Sequence, residues 1–174
     1  MYRVGVDVFA PAIETSKKRG IHNEYEEINV GDIDIKFAPE SFDCVLASDL
    51  IEHITKEEGL SLMRKMERIA KHKVIIFTPR GFVSQDEYEG NPWQVHRSGW
   101  EVEEMRNYGY EVIGISGLKS VWNMTFLWKK RDDANILIRI IRKILVDVTQ
   151  LYARSHPESA YQIMCIKTKS QTNS

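Results

Sequence analysis

The sequence predicts an α/β domain with a doubly wound, mostly parallel sheet. Apolar, strand-like runs alternate with capped or amphipathic helical segments along most of the 174 residues. Acidic residues follow several of these runs, and in such sheets the carboxyl ends of the strands form the ligand-binding edge. A hydrophobic content of 43% suits one globular domain, which we assign to residues 1–168, with residues 169–174 as a disordered tail.

The first half of the chain supplies three predicted strands and two predicted helices. "YRVGVDV" and "YEEINVGD" are strand-like, and "PAIETSKKRG" between them has Pro11 near its start and Gly20 at its end, as helices favour. "FDCVLASD" is apolar on both faces, which is typical of a buried parallel strand. Thr55 and Glu58 form a predicted capping box for "TKEEGLSLMRKMERIAK". The residues of this helix that should face the sheet are Leu60, Met63, Met66 and Ile69.

The second half continues the alternation. "KVIIFTP", which Pro79 ends, is a fourth predicted strand, and "YEVIGISG" and "YQIMCIKTK" are the fifth and sixth. Ser98 and Glu101 form a second predicted capping box, for the helix over "GWEVEEMRNYG" that Gly109 ends. A strongly apolar helix is predicted over about residues 135–154.

Composition and charge exclude several classes of protein. A formal net charge of -1 gives no electrostatic basis for nucleic-acid binding. The opening residues lack the basic and long apolar regions of a signal peptide. Cys44 and Cys165 each lie in an apolar strand-like run, and no Cys/His metal-ligand spacing occurs. We therefore expect two buried thiols, no metal and a reducing, cytoplasmic location.

Three acids mark the expected ligand edge of the sheet. Asp7, Asp32 and Asp49 fall at or just past the ends of three successive strand units. One aspartate in this position is most simply a helix N-cap. Three of them in consecutive units instead indicate a binding edge.

The run "INVGDIDIKFAPESFDCVLASDLIEHI" resembles the middle of a class I S-adenosylmethionine-dependent methyltransferase, and more narrowly the small-molecule branch called type 11. "VIIFTPRGF" resembles the next strand of that family, and the resemblance covers roughly residues 3–117. It implies a Rossmann-like methyltransferase sheet and S-adenosyl-L-methionine as the cofactor. It also implies methyl transfer to an oxygen or nitrogen atom of a small molecule.

The resemblance assigns a role to each residue of the cofactor site. Asp7 would accept hydrogen bonds from both ribose hydroxyls, because a carboxylate offers two oxygens, and Val8 would pack on the adenine. Asp32 would accept from the adenine amino group, and the backbone of Ile33 would meet the ring. The segment Ala47–Ser48 would pass the methionine portion of the cofactor.

One family feature does not occur in this sequence. The family has a GxGxG turn after its first strand, whose glycines let the backbone approach the cofactor closely. Here no such motif occurs and the strand candidates number six, against seven in the family. The resemblance therefore implies that the first strand is missing and that the strand ending at Asp7 is the second.

Three hypotheses follow from the missing feature. In the first, which we favour, a longer protein carries the strand and its helix, about 30 residues or more, before Met1. In the second, the chain is a non-catalytic methyltransferase remnant that acts as a binding or interaction module. In the third, the chain is a nicotinamide-dependent enzyme, but this hypothesis leaves Asp32 and "SFDCVLASDLIEHI" unexplained.

The loop "GFVSQDEYEGNPWQVHRSGW" follows the fourth strand on the expected ligand side. Its length and its aromatic and hydrogen-bonding residues predict a substrate lid; a surface loop pinned by its tryptophans is the alternative. These residues are Gln85, Tyr88, Trp93, Gln94, His96 and Trp100.

His96 and His53 are the candidate catalytic residues. Methyl transfer from a sulfonium depends mainly on alignment, and a base is needed only when the acceptor must lose a proton. Histidine titrates near neutrality and suits that role. A packed or solvent-facing helix histidine is the alternative for His53, and His96 is expected to contact the substrate.

The helix "ANILIRIIRKILVDVTQLY" is unusually apolar, but its charged residues make it a poor membrane span. Arg139, Arg142 and Gln150 fall on one stripe and leave a broad apolar arc. Together with "VWNMTFLWKKR" upstream, residues 122–152 could rest on a membrane surface. Burial against the sheet or in a dimer contact is the interpretation that we favour, and the sequence does not indicate the oligomeric state.

Overall fold

A computed structural model describes residues 1–87, 90–123 and 136–169 of the chain. Its strands are β1 (Val4–Asp7), β2 (Glu24–Glu27), β3 (Phe42–Ser48), β4 (Ala70–Pro79), β5 (Glu111–Leu118) and β6 (Ala160–Thr168). Its helices are α1 (Ala10–Arg19), α2 (Ile33–Lys36), α3 (Lys56–Ile69), α4 (Val102–Asn107) and α5 (Ile136–Ser155). The predictions for Tyr88, for residues 124–135 and for the tail beyond Lys169 lie outside the described residues.

The strands form two sheets, and their order confirms the predicted α/β fold. β1 and β2 pair in parallel as a two-stranded sheet, and the other strands form a four-stranded sheet in the order β3-β4-β6-β5. β3 and β4 are parallel, whereas β6 runs antiparallel to both β4 and β5. β3, β4 and β5 therefore share one direction, and their carboxyl ends meet at one edge.

β1 and β3 each keep one open edge among the described residues, because the two sheets are not hydrogen-bonded to each other. The prediction that β3 is buried on both faces is wrong, since Leu46 is 57% exposed and Cys44 is exposed as well. A strand without a second neighbour cannot bury its side chains as an interior strand does. The expectation of two buried thiols therefore holds only for Cys165, on β6.

Helix α3 follows its sequence prediction closely. The backbone N–H of Thr55 donates to Glu58 (2.9 Å) and the Thr55 hydroxyl accepts from the Glu58 N–H (3.3 Å), so the capping box is present. Leu60 is only partly buried, and Leu62 is buried instead. The buried side chains of this helix join a core whose fully buried members include Ile51, Met66, Ile69, Val74, Ile76, Trp100, Met105 and Ile163.

Helix α4 begins later than the sequence predicts. Glu101 is the N-cap residue and its backbone N–H donates to Glu104 (3.5 Å), so the capping box predicted from Ser98 and Glu101 is wrong. The Ser98 hydroxyl is buried and donates to the backbone carbonyl of Ile51 (2.9 Å). Because that hydroxyl is already used by another segment, it does not cap this helix. Gly109 lies just after the helix with a left-handed φ of 84°.

Helix α5 packs against β5, but only with one face. The Gln150 side chain donates to the Gly114 carbonyl (3.0 Å) and accepts from the Gly117 N–H (2.9 Å). Gln150 therefore faces the sheet and is not part of a polar stripe on the outer surface of the helix. The strand pairing is irregular between Ile115 and Leu118, and Gln150 supplies partners for backbone groups there.

The outer face of α5 is apolar and exposed. The prediction of burial therefore holds for only part of the apolar arc, and the side chains of Arg139 and Arg142 are outside the described set. Within the described residues, no helix is both long and apolar enough to cross a membrane. The exposed apolar residues of this face include Ile140, Ile144, Val148 and Leu151.

Candidate functional site

The predicted cofactor residues lie at the ends of β1 and β3 and in the turn after β2. Asp7 is the last residue of β1, and Ser48 is the last residue of β3. β2 ends at Glu27, before the predicted end, and a 3-10 turn over Val30–Asp32 carries the second acid. The three predicted groups therefore lie at or shortly after the carboxyl ends of strands.

Asp7 is partly buried and has one carboxylate oxygen engaged locally. Its Oδ1 accepts from the backbone N–H of Phe9 (2.8 Å), which fixes the side chain at the junction of β1 and α1. Within the described residues, the other oxygen has no hydrogen bond. Val8 lies between the strand and the helix and is also partly buried. Asp7 thus retains one carboxylate oxygen for a ligand.

Asp32 and Ile33 lie where the 3-10 turn continues into α2. Asp32 is exposed and precedes the helix, but its side chain does not cap it. The N-cap explanation of this acid therefore does not apply. The Ile33 side chain is 7% exposed and belongs to the core, so only its backbone is free to face a ligand.

The end of β3 combines small and polar residues. Ala47 is buried, Ser48 is exposed, and the Ser48 hydroxyl donates to Asp49 (3.2 Å). Asp49 has a left-handed φ of 47° and also accepts from the Gln162 amide (2.8 Å). Both Asp49 oxygens are thus engaged within the sheet edge, which makes this acid a structural member of the site.

The turn after β3 holds a buried carboxyl group that the sequence argument did not single out. Glu52 is 2% exposed and accepts from the Thr78 hydroxyl of β4 (2.9 Å). Burial raises the pKa of its carboxyl to about 7, against the lowering effect of backbone and Thr78 hydrogen bonds. The only sequence signal is an acid set between apolar residues in "LIEHI".

The two candidate catalytic histidines come together beside Glu52. The rings of His53 and His96 meet edge to face, with 4.7 Å between their centroids. Burial, and then the neighbouring His96, lower the pKa of His53 and favour its neutral form. We call these residues the Glu52–His53–His96 cluster.

The loop after β4 is pinned at its carboxyl end. The backbone N–H groups of Arg97 and Ser98 donate to the Glu52 carbonyl (2.7 and 3.1 Å). Trp100 is fully buried and its indole donates to the Ile51 carbonyl (3.2 Å), so this tryptophan belongs to the core and not to a lid. Trp93 remains 44% exposed.

The middle of the same loop is held by its own hydrogen bonds. The Gln85 side chain donates to the Gln94 carbonyl (2.9 Å), and the His96 N–H donates to the Gln85 carbonyl (3.1 Å). These contacts give the described part of the loop a defined shape above the turn that carries Glu52.

A cleft of about 180 Å³ opens between the turn after β2, helix α3 and this loop. Its lining includes Gly31, His53, Trp93 and Arg97. Pockets for drug-sized ligands usually measure about 300–1,000 Å³. The cleft is therefore too small to enclose a whole nucleoside cofactor without an opening movement or a further wall.

Comparison with known proteins connects this geometry to a family. Residues 2–78 match the family model described as "Methyltransferase domain". A search of the curated proteins found no match.

Solved structures share the fold. A SAM-dependent methyltransferase from Archaeoglobus fulgidus matches with a TM-score of 0.57 and 14% identity, over 95% of this chain and 75% of that one. The [4+2]-cyclase SpnF matches with a TM-score of 0.50 and 14% identity, over 97% of this chain and 67% of that one. A phosphoethanolamine N-methyltransferase of Haemonchus contortus, in complex with phosphomonomethylethanolamine and S-adenosylhomocysteine, matches with a TM-score of 0.55 and 18% identity. The match covers 97% of this chain and 43% of that one.

The family match over residues 2–78, the sheet order and the shared fold show that the chain is similar to class I S-adenosylmethionine-dependent methyltransferases. The resemblance stated from the sequence is thereby confirmed over residues 2–78. Identities this low establish only the fold, so the structural matches do not specify the acceptor.

Proposed function

We propose that this chain transfers the methyl group of S-adenosylmethionine to an oxygen or nitrogen atom of a small molecule. The observation that carries the proposal is Asp7, held at the carboxyl end of β1 with one oxygen that has no hydrogen bond within the described residues and could accept from a ribose hydroxyl. The same proposal assigns Val8, Asp32, Ile33 and Ala47–Ser48 to the adenine and methionine portions.

The acceptor side of the proposed site is the loop after β4. Its polar and aromatic groups overlie the turn after β3, and the alignment of acceptor and sulfonium is the main requirement of the reaction. His53 and His96 are the proposed acceptor-facing groups, and a neutral imidazole can take a proton from the acceptor. Partial burial lowers the pKa of His53, which supports a neutral imidazole at this residue.

A small molecule is the favoured acceptor. The net charge of -1 gives no electrostatic basis for a polyanionic acceptor, and one structural relative holds a small phosphorylated amine. The two cysteines are free, which supports the proposal of a reducing, cytoplasmic location.

The test is nuclear magnetic resonance of the labelled chain with S-adenosylhomocysteine, because backbone amide shifts detect weak binding. Binding is expected to be weak, since the chain has no GxGxG turn. The shifts should concentrate at Asp7, Val8, Ile33 and Ala47–Ser48. Absence of change at millimolar ligand, or changes confined to other surfaces, would contradict the proposal.

The alternative is a non-catalytic methyltransferase remnant that acts as a binding or interaction module. The open edges of β1 and β3 and the small cleft favour this alternative. A strand with a glycine-rich turn between β1 and β3 would complete the family's sheet. Addition of such a segment should increase cofactor affinity under the methyltransferase proposal and leave it unchanged under the alternative.

We also propose peripheral membrane contact through residues 122–152. The support is the exposed apolar face of α5, which includes Ile144, Val148 and Leu151. Trp122 does not contribute as a free anchor, since its ring stacks on Tyr161 (4.3 Å between centroids). Cosedimentation with anionic vesicles tests the contact: Val148→Gln with Leu151→Gln should reduce the bound fraction, and equal binding would contradict it.

A further inference from the structure

We propose that Glu52, His53 and His96 form a binding site for a divalent transition-metal ion. One potential ligand atom from each residue lies within 4.8 Å of the others. The three residues come from two segments, the turn after β3 and the loop after β4. The inference concerns the site itself and does not depend on methyl transfer.

The two segments are held in register by backbone contacts. The N–H groups of Arg97 and Ser98 both donate to the carbonyl of Glu52, at 2.7 and 3.1 Å. His96 is the residue immediately before this anchor. The approach of His96 to the turn is therefore fixed by the main chain and not by its side chain alone.

Each proposed ligand retains a free electron pair. His96 donates its Nδ1 proton to the Val83 carbonyl, which leaves Nε2 unprotonated in the neutral ring. His53 Nδ1 is buried and has no hydrogen-bond partner within the described residues. Glu52 accepts from Thr78 with Oε2, and because each carboxylate oxygen has more than one lone pair, the carboxylate can still ligate an ion.

These contacts are the supporting bonds expected around a metal centre. A histidine ligand usually donates its second ring nitrogen to a carbonyl or carboxylate, and a carboxylate ligand is usually hydrogen-bonded in turn. A buried carboxyl and an unpartnered buried imidazole nitrogen are costly without a cation or donor. A bound cation satisfies both.

The ligand set selects the class of ion. Two imidazoles and one carboxylate suit Zn²⁺, Fe²⁺ or Mn²⁺, whereas Ca²⁺ and Mg²⁺ prefer oxygen ligands. Metal–ligand bonds of about 2.0–2.2 Å place ligand atoms at most about 4.4 Å apart. Small side-chain rotations must therefore close the present 4.8 Å spacing.

An ion held by three protein groups keeps open positions for water or a substrate atom. His53 also lines the cleft between α3 and the loop after β4, so an exchangeable ligand could reach the ion from there. A bound ion would occupy the electron pairs of both imidazoles. The base role proposed for His53 and His96 therefore applies to the metal-free chain.

The experiment uses the full chain, treated with a chelator that is then removed. Co²⁺ titration, followed by visible d–d absorption, and Zn²⁺ calorimetry should show saturable binding of one ion per chain. His53→Ala, His96→Ala and Glu52→Gln should each weaken Zn²⁺ binding by at least about 10–100-fold, the range known for supporting residues alone. His72→Ala is the matched control, because the His72 ring lies 3.8 Å from the exposed Asp43 and outside the cluster, and this variant should bind normally.

Circular dichroism in the presence of chelator compares the fold of each variant with that of the parent chain. A variant that folds like the parent without metal, but binds Zn²⁺ more weakly, has lost a ligand and not its structure. Failure of the parent chain to show saturable Co²⁺ or Zn²⁺ binding would overturn the inference. Unchanged binding by the His53→Ala/His96→Ala double variant would overturn it as well, since the ion would then be adventitious. Neither result bears on cofactor binding at Asp7, which the amide shifts measure separately.

Discussion

The Thr78 hydroxyl of β4 donates a 2.9 Å hydrogen bond to the buried carboxyl of Glu52 in the turn after β3. Thr78 is itself fully buried, so this bond joins two segments without help from solvent. It also orients the carboxyl next to His53 and His96. One contact between β4 and the turn after β3 therefore orients the carboxyl of the Glu52–His53–His96 cluster.

Loss of the Thr78 donor should destabilise the chain. Thr78→Val keeps the shape but leaves a carboxyl oxygen unpaired, which should lower the free energy of unfolding by about 1–3 kcal/mol. Urea denaturation in the presence of chelator measures the change. When Glu52 is already replaced by methionine, Thr78→Val should lower the free energy of unfolding much less. A coupling energy between the two substitutions within about 0.5 kcal/mol of zero would contradict the proposed role of this hydrogen bond.

Gly59 in α3 should resist replacement by alanine. A Cβ there would lie 2.4 Å from Cζ2 of Trp100, and the indole is fully buried. Glycine-to-alanine changes in a helix usually stabilise by about 0.5–1 kcal/mol. Here overpacking should reverse the sign, with a loss of about 1–3 kcal/mol in urea denaturation. A smaller ring in Gly59→Ala/Trp100→Phe should recover part of the loss, and a gain in stability from Gly59→Ala alone would refute the predicted clash.

Local signals in the sequence predicted much of the fold. The Thr55–Glu58 capping box and the spacing of Met63, Met66 and Ile69 depend only on neighbours within the same helix, and the structure confirms them. Strand ends at Asp7 and Ser48 were also predictable because polar residues interrupt apolar runs there.

Features set by distant segments were not predictable. The burial of β3 depends on which strands flank it, and its open edge leaves Leu46 exposed. Ser98 lost its predicted capping role to a carbonyl at Ile51, which is 47 residues away in the sequence. The Glu52–His53–His96 cluster likewise joins two segments whose spacing matches no metal motif.

The two cysteines should differ sharply in reactivity. Burial raises the pKa of the Cys165 thiol to about 12, and Cys44 lies exposed on β3, where desolvation raises its pKa in the same direction. Because the thiolate is the reactive form and access is required, a disulfide reagent at mildly alkaline pH should label Cys44 and spare Cys165 until the chain unfolds. Cys44→Ser should remove the native-state labelling. Equal labelling of both thiols in the folded chain would contradict the burial of β6.

The outer face of α5 should tolerate polar residues. Leu151 is 79% exposed, so Leu151→Gln should change the free energy of unfolding by no more than about 0.5 kcal/mol. Ala153 on the inner face is fully buried against β5, and its carbonyl lies near Gly114. Ala153→Gln should therefore destabilise by about 1–3 kcal/mol through overpacking. A large loss from Leu151→Gln in thermal or urea unfolding would mean that this face is covered in solution.

Asp7 should contribute more to ligand binding than to folding. The only side-chain hydrogen bond of Asp7 within the described residues is from the Phe9 N–H (2.8 Å), at a partly buried site, so Asp7→Asn keeps an acceptor for that contact. Loss of the charge should weaken S-adenosylhomocysteine binding, and Asp7→Ala should weaken it by about 1.5–3 kcal/mol, the range for hydrogen bonds to charged groups. Amide-shift titrations measure the affinity. Asp43→Asn is the control, because Asp43 has an 87% exposed side chain near the amino end of β3, away from the ligand edge. If Asp7→Ala and Asp43→Asn bound the ligand equally well, Asp7 would not be part of the cofactor site.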